Sequence, residues 1–110
     1  YKTDVYAVGR WRNEQAEHAG ETAPIPENVF VKPPSAELTP GQKDEASMGV
    51  DYAALDKLLI AVLEHGDAVE DAATKAGLSA GHAAEILSRV ESYAFKRAME
   101  PPFPDAKFYE

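Results

Sequence analysis

The densest gathering of reactive side chains in this sequence is the run KPPSAELTPGQKDE, residues 32–45. Lys32 and Lys43 bring cations, Ser35 a short hydroxyl, and Glu37, Asp44 and Glu45 carboxylates. Three prolines stiffen the run, because proline fixes its own φ and pushes the residue before it towards extended backbone. Lys32 is therefore expected to be extended, with Ser35 on a rigid approach. A stretch this long without periodicity reads as an active-site lid, a binding loop or a solvated linker. Asp44 and Glu45 read first as solvated charge, since a magnesium role needs a second ligand set that the sequence does not offer. His18, His65 and His82 are scattered without ligand spacing, and there is no cysteine to join them. Nor does any Ser-His-Asp order suggest a nucleophilic triad.

The rest of the chain must position that run. At 110 residues it is at most one small domain. Nineteen acidic against eleven basic residues give a net charge of −8, which favours solubility and repels nucleic-acid phosphate at long range. A few local cations can still outvote that field for a nucleotide ligand. The absence of cysteine excludes disulfides and thiolate metal sites and permits a reducing compartment. No apolar run approaches twenty residues, so no membrane span is expected, and no apolar core behind residues 1–4 marks a signal peptide. The chain opens on Tyr1 rather than methionine, which predicts a piece of something longer.

Periodicity predicts a mainly α fold with few strand signals. A first helix is expected over 3–13, with Thr3 as N-cap, Asp4 in the first turn, and Arg10 and Arg12 near the end. Its apolar face is read from Val5, Val8 and Trp11. Gly20, Pro24 and Pro26 predict a loop over 14–50, with Val29, Phe30 and Val31 as an apolar anchor where the reactive run begins. A helical region follows over 51–100. Tyr52, Leu55, Leu58, Leu59, Val62 and Leu63 form one stripe, with Asp51 as N-cap and Gly66 as stop. Asp67 and Glu70 suggest a capping box for a second helix ending near Gly77. Ser79 caps a third, which carries Ile86, Leu87, Val90 and Ala94 and stops at Pro101-Pro102. The tail, 101–110, has no period.

Four blocks in order resemble the carboxyl-terminal part of NAD synthetases, in the N-type ATP pyrophosphatase family. They are YKTDVY at 1–6, KPPSAELTPGQKDE at 32–45, Tyr52-x-x-Leu55-Asp56, and Phe95-Lys96-Arg97 followed by Pro101-Pro102. The resemblance implies helices and a long loop cut from an α/β, adenine nucleotide α-hydrolase-like synthetase domain. It implies that Lys2 and Ser35 contact ATP. A fixed cation suits the charge that builds as pyrophosphate leaves, and a hydroxyl suits a phosphate or ribose oxygen. It implies that Phe95 and Lys96 bind deamido-NAD, and that Lys43, Asp44 and Glu45 belong to a mobile flap. Phe95 stands where the family has tyrosine or histidine, so stacking or backbone contact replaces a polar one. Lys96 and Arg97 also suit a helix carboxyl end. Lys43 departs from the pattern, and residues 14–24 look like an insertion.

The reaction implied is the ATP-dependent amidation of deamido-NAD through an acyl-adenylate, with ammonia, or glutamine by way of an upstream domain, as nitrogen source. A cytoplasmic homodimer is implied too. The family's S-G-G-x-D-S pyrophosphate loop has no counterpart in this sequence, and its magnesium ligands fall outside the chain. The segment alone is therefore expected to be inactive. Two readings from other classes stand beside this one. One is a helical adaptor that binds a protein through the 52–63 stripe. The other is a helix-turn-helix DNA-binding module over 67–90, for which the acidic chain and the lack of a basic stripe are unfavourable.

Overall fold

A computed structural model of the chain describes residues 1–32, 50–94, 99–102 and 109. Among them there is helix and turn but no strand, as the periodicity predicts. Two compact units form, Tyr1–Ala53 and Ala54–Glu110.

In the first unit, α1 spans Lys2–His18. It starts earlier and ends later than the apolar spacing suggests. Tyr1 takes the N-cap position without a side-chain bond, and Thr3 lies inside the first turn. Beyond Asn13 the segment EQAEH is polar, yet glutamate, glutamine and alanine are good helix formers, so the helix continues until a breaker stops it. Gly20 is that breaker, at φ +73°. Its N–H bonds to the Glu17 carbonyl at 3.0 Å, and the Glu21 N–H bonds to that of Ala16 at 2.8 Å, which closes the helix end.

The face that α1 buries is not the apolar one. Gly9 and Ala16 are buried, whereas Val5, Val8 and Trp11 are 62%, 65% and 58% exposed. After the Pro24–Pro26 turn comes a single helical turn, α2, at Asn28–Val31, within the stretch expected to be loop. Bonds from the Val29 N–H to the Pro26 carbonyl (3.0 Å) and from the Phe30 N–H to that of Glu27 (2.9 Å) start it. Lys32 leaves α2 in extended conformation, as the proline after it requires.

The helix α3, Tyr52–Leu59, begins directly after Asp51. It runs into a π-helical turn at Ile60–Glu64, where the His65 N–H reaches the Ile60 carbonyl at 3.1 Å. Gly66, at φ +72°, ends this run as expected. In the second unit, α4 (Val69–Ala76) packs on α5 (Ala80–Ser92) and on the π turn. Alanine makes these contacts close: Ala61, Ala72, Ala73 and Ala83 are buried around Leu55, Leu58 and Ile86.

Local chemistry decides the helix ends. Gly77, at φ +73°, closes α4, and the Ser79 hydroxyl accepts the His82 N–H at 3.2 Å to open α5. Asp67, expected as a cap, does not serve as one. Ala68 holds the N-cap position, and the Asp67 carboxylate instead takes the Lys75 ammonium at 2.5 Å. That partner raises the Lys75 pKa, through the hydrogen bond first and the charge second. The helix α5 ends at Ser92 with Tyr93 as C-cap, Ala94 is helical again, and residues 95–98, between it and the prolines at 101 and 102, lie outside the described residues.

Candidate functional site

Of the candidate site residues, Lys2 lies among those the structure describes. Ser35, Lys43, Asp44, Glu45, Phe95 and Lys96 lie outside them. Lys2 occupies the first position of α1 and is half-buried. Its Nζ stands 5.9 Å from the ring centroid of Tyr6, one turn along α1, and 5.8 Å from that of Tyr52. Both lie within the roughly 6 Å over which a ring face attracts an ammonium.

Tyr6 has an aromatic neighbour of its own. Its ring meets Phe30 of α2 edge-on, with centroids 6.2 Å apart at 68°. Phe30 also carries the Arg10 guanidinium, whose Cζ is 4.4 Å from the ring centroid. Arg10 also reaches Glu27 at 3.3 Å. That pair is exposed on both sides, so it is worth at most about 1 kcal/mol. The close approach of Phe30 depends on Gly9. A Cβ there would stand 2.9 Å from Phe30 Cε1 and 3.4 Å from Ile25 Cδ1.

Asn13 completes this corner. Its side-chain amide donates to the Ile25 carbonyl at 2.8 Å, while its side-chain oxygen accepts the Ile25 N–H at 3.0 Å. A single side chain thus satisfies both backbone groups of a residue twelve positions away. The result is a fixed platform: α1 holds Lys2 at one end, and Ile25, Phe30 and α2 hold the backbone from which the reactive run at 32–45 departs.

Sequence reading missed Gly9, Arg10, Asn13 and Phe30 as parts of one arrangement. A glycine inside a helix was the available signal, because it often marks close approach of a neighbour. Asn13 gave none, since its partner is remote in sequence.

Among the described residues no group of three His, Asp or Glu side chains could hold a metal ion. Nor is any helix among the described residues long and apolar enough to cross a membrane. The α4–turn–α5 pair has a helix-turn-helix outline. Arg89 on its second helix bonds to Glu85 at 3.0 Å. Beside it an open apolar groove of about 550 Å³ is lined by Val62, Leu63, Leu87, Val90, Glu91 and Ala94.

Residues 1–100 match the family model described as NAD synthase. The chain belongs to that family. It is 40% identical over 97 residues to a glutamine-dependent NAD(+) synthetase of Thermotoga maritima, covering 88% of this chain and 16% of that protein. It is 38% identical over 107 residues to an NH(3)-dependent NAD(+) synthetase of Methanopyrus kandleri, covering 92% and 34%. A third relative, the NH(3)-dependent NAD(+) synthetase of Methanosarcina mazei, is 36% identical over 101 residues, covering 92% and 36%. The chain therefore spans from about a sixth to about a third of these curated relatives.

Proposed function

We propose that this chain forms part of a ligase that makes NAD from deamido-NAD, ATP and ammonia, or glutamine by way of an upstream domain. The family match over residues 1–100 carries this reading, and the names of the relatives support it. In the reaction, a carboxylate oxygen of the nicotinate group attacks the α-phosphorus of ATP. The bond to pyrophosphate breaks and an acyl-adenylate forms. Ammonia nitrogen then attacks the acyl carbon, AMP leaves with the electron pair of the carbon–oxygen bond, and the surplus proton passes to solvent.

The residues of this chain act by binding and covering. Lys2 neutralises charge that grows on the phosphates as pyrophosphate departs. The Ser35 hydroxyl donates a hydrogen bond to a phosphate or ribose oxygen of ATP. Lys96 meets the polar groups of deamido-NAD, with Phe95 stacking or contributing backbone. The run at 32–45, including Lys43, Asp44 and Glu45, closes over the site. Closure excludes water, which would otherwise hydrolyse the acyl-adenylate. The platform built on Gly9, Asn13 and Phe30 gives this covering segment a fixed point of departure. The enzyme works as a dimer in the cytoplasm.

The test is an assay of AMP and NAD formation from ATP, deamido-NAD and ammonia, by a full-length synthetase carrying these 110 residues. Ser35→Ala and Lys96→Ala are measured beside it. Activity that falls in both variants supports the reading and the residue roles. Activity indifferent to both discards the roles. No activity with either ammonia or glutamine discards the reading. A second reading, a helical adaptor, draws on the open groove between the π turn and α5, where Leu63 is 48% exposed.

A further inference from the structure

The two tyrosines beside Lys2 have no part in the function described so far. We propose that Tyr6 and Tyr52 are positioning residues for Lys2, two ring faces that aim its ammonium while leaving its charge available to phosphate. The inference rests on the reading of Lys2 as an ATP contact.

The choice of partner is what points to this role. A lysine can be held by a carboxylate or by aromatic faces, and the two have opposite consequences for an incoming anion. A carboxylate cancels most of the field that a phosphate would feel, and it must be displaced before the phosphate can bind. A ring quadrupole attracts the ammonium weakly and carries no net charge, so the full positive charge stays on offer. Among the described residues Lys2 has no carboxylate partner, although the chain carries nineteen acidic residues. Its Nζ lies instead nearly equidistant from two rings, at 5.9 and 5.8 Å.

The arrangement also limits motion. Lysine has four rotatable side-chain bonds, and freezing them on binding costs affinity. One ring comes from α1 itself and the other from the first residue of α3, so the ammonium is bracketed from two elements. Tyr6 is further steadied by Phe30, which Arg10 covers. The ring faces therefore prepay part of the ordering that ATP binding would otherwise require.

The test uses a full-length synthetase carrying these residues, with steady-state constants for ATP and deamido-NAD measured separately. Tyr52→Leu is expected to lower kcat/KM for ATP by about two- to thirtyfold, the span measured for cation–ring contacts from exposed to desolvated sites. The constant for deamido-NAD binding should move little. Tyr52→Phe, which keeps the ring, should recover most of the loss, and Tyr6→Phe should do the same against Tyr6→Leu. In a Lys2→Met background the leucine substitutions should cost almost nothing more.

If the leucine variants cost as much without Lys2 as with it, the rings act independently of the lysine and the proposal is overturned. The same follows if the phenylalanine variants recover nothing. If Lys2→Met leaves kcat/KM for ATP unchanged, Lys2 is no ATP contact, and both readings of it fail together. Should Tyr52→Leu fold poorly, progressively fluorinated phenylalanines at position 52 keep the shape while weakening the ring face. A stepwise loss in kcat/KM for ATP is then expected, and a flat series overturns the proposal.

Discussion

Replacing Asn13 by alanine should loosen the backbone at Ile25 and little else. The wild-type side chain makes two hydrogen bonds to Ile25, at 2.8 and 3.0 Å, in a half-buried setting. A net hydrogen bond is worth about 0.5–1.5 kcal/mol, so two give about 1–3 kcal/mol. Water can reach a half-buried site, which places the cost in the lower part, about 1–2 kcal/mol. Expressed as an opening equilibrium, that is an increase of about 5- to 30-fold in amide exchange. Hydrogen exchange resolved at the Ile25 amide is the assay, with the amides of α5 as control. Asn13→Asp separates the two bonds. Its carboxylate still accepts the Ile25 N–H but faces the Ile25 carbonyl with no proton to give. Its effect at the amide should be smaller than that of alanine. Exchange at Ile25 within twofold of wild type in Asn13→Ala would refute the reasoning. So would acceleration spread equally through α5, since that reports global destabilisation instead of a local release.

Other substitutions probe the second unit and the proposed site. Ile86→Ala, at a position only 1% exposed, should lower stability by about 2–5 kcal/mol in urea denaturation followed by helical ellipticity. Ser79→Ala should cost about 1 kcal/mol by the same measurement, because it removes the bond to the His82 N–H. The Lys75 ammonium is raised above its ordinary 10.5 by Asp67, so its contribution is complete below that pH and fades as pH climbs through the raised value. Alkaline titration of stability should therefore show a shallower fall in Lys75→Met than in wild type. These 110 residues alone should make no NAD from ATP, deamido-NAD and ammonia, and product formation by the isolated chain would contradict the division of labour proposed for it.

Some of this fold was legible because the signal is local. Gly77 and Ser79 announce a helix end and a helix start within one turn of themselves, and both do so in the structure. Of the Tyr52–Leu63 stripe, Leu55 and Leu58 are buried, as is Ile86, because large apolar residues at helical spacing carry the pattern, whereas Leu63 at the end of the stripe is 48% exposed. The orientation of α1 was not legible for the complementary reason. Its buried face is made by Gly9 and Ala16, which are too small to register in hydropathy, while Val5, Val8 and Trp11 advertise a face that stays exposed. Asp67 has the right type and spacing for a cap, but Lys75 lies one helix length away and offers a charged partner. Spacing within four residues could not reveal that competitor. At the site, the family motif singled out Lys2 but not its setting. Tyr6 is a near neighbour in sequence, whereas Tyr52 is fifty positions on, and only folding brings its ring to the lysine.

The exposed position of Trp11 has a practical corollary. It is the sole tryptophan of the chain, and it is 58% exposed on α1. An indole already in water has little left to gain when the protein unfolds, so its emission should shift only slightly during denaturation. Covering the Val5–Val8–Trp11 face with any other surface would move that indole into an apolar setting and shift the emission to the blue. Tryptophan fluorescence, ordinarily used to follow folding, is in this molecule a reporter of docking on one face of one helix.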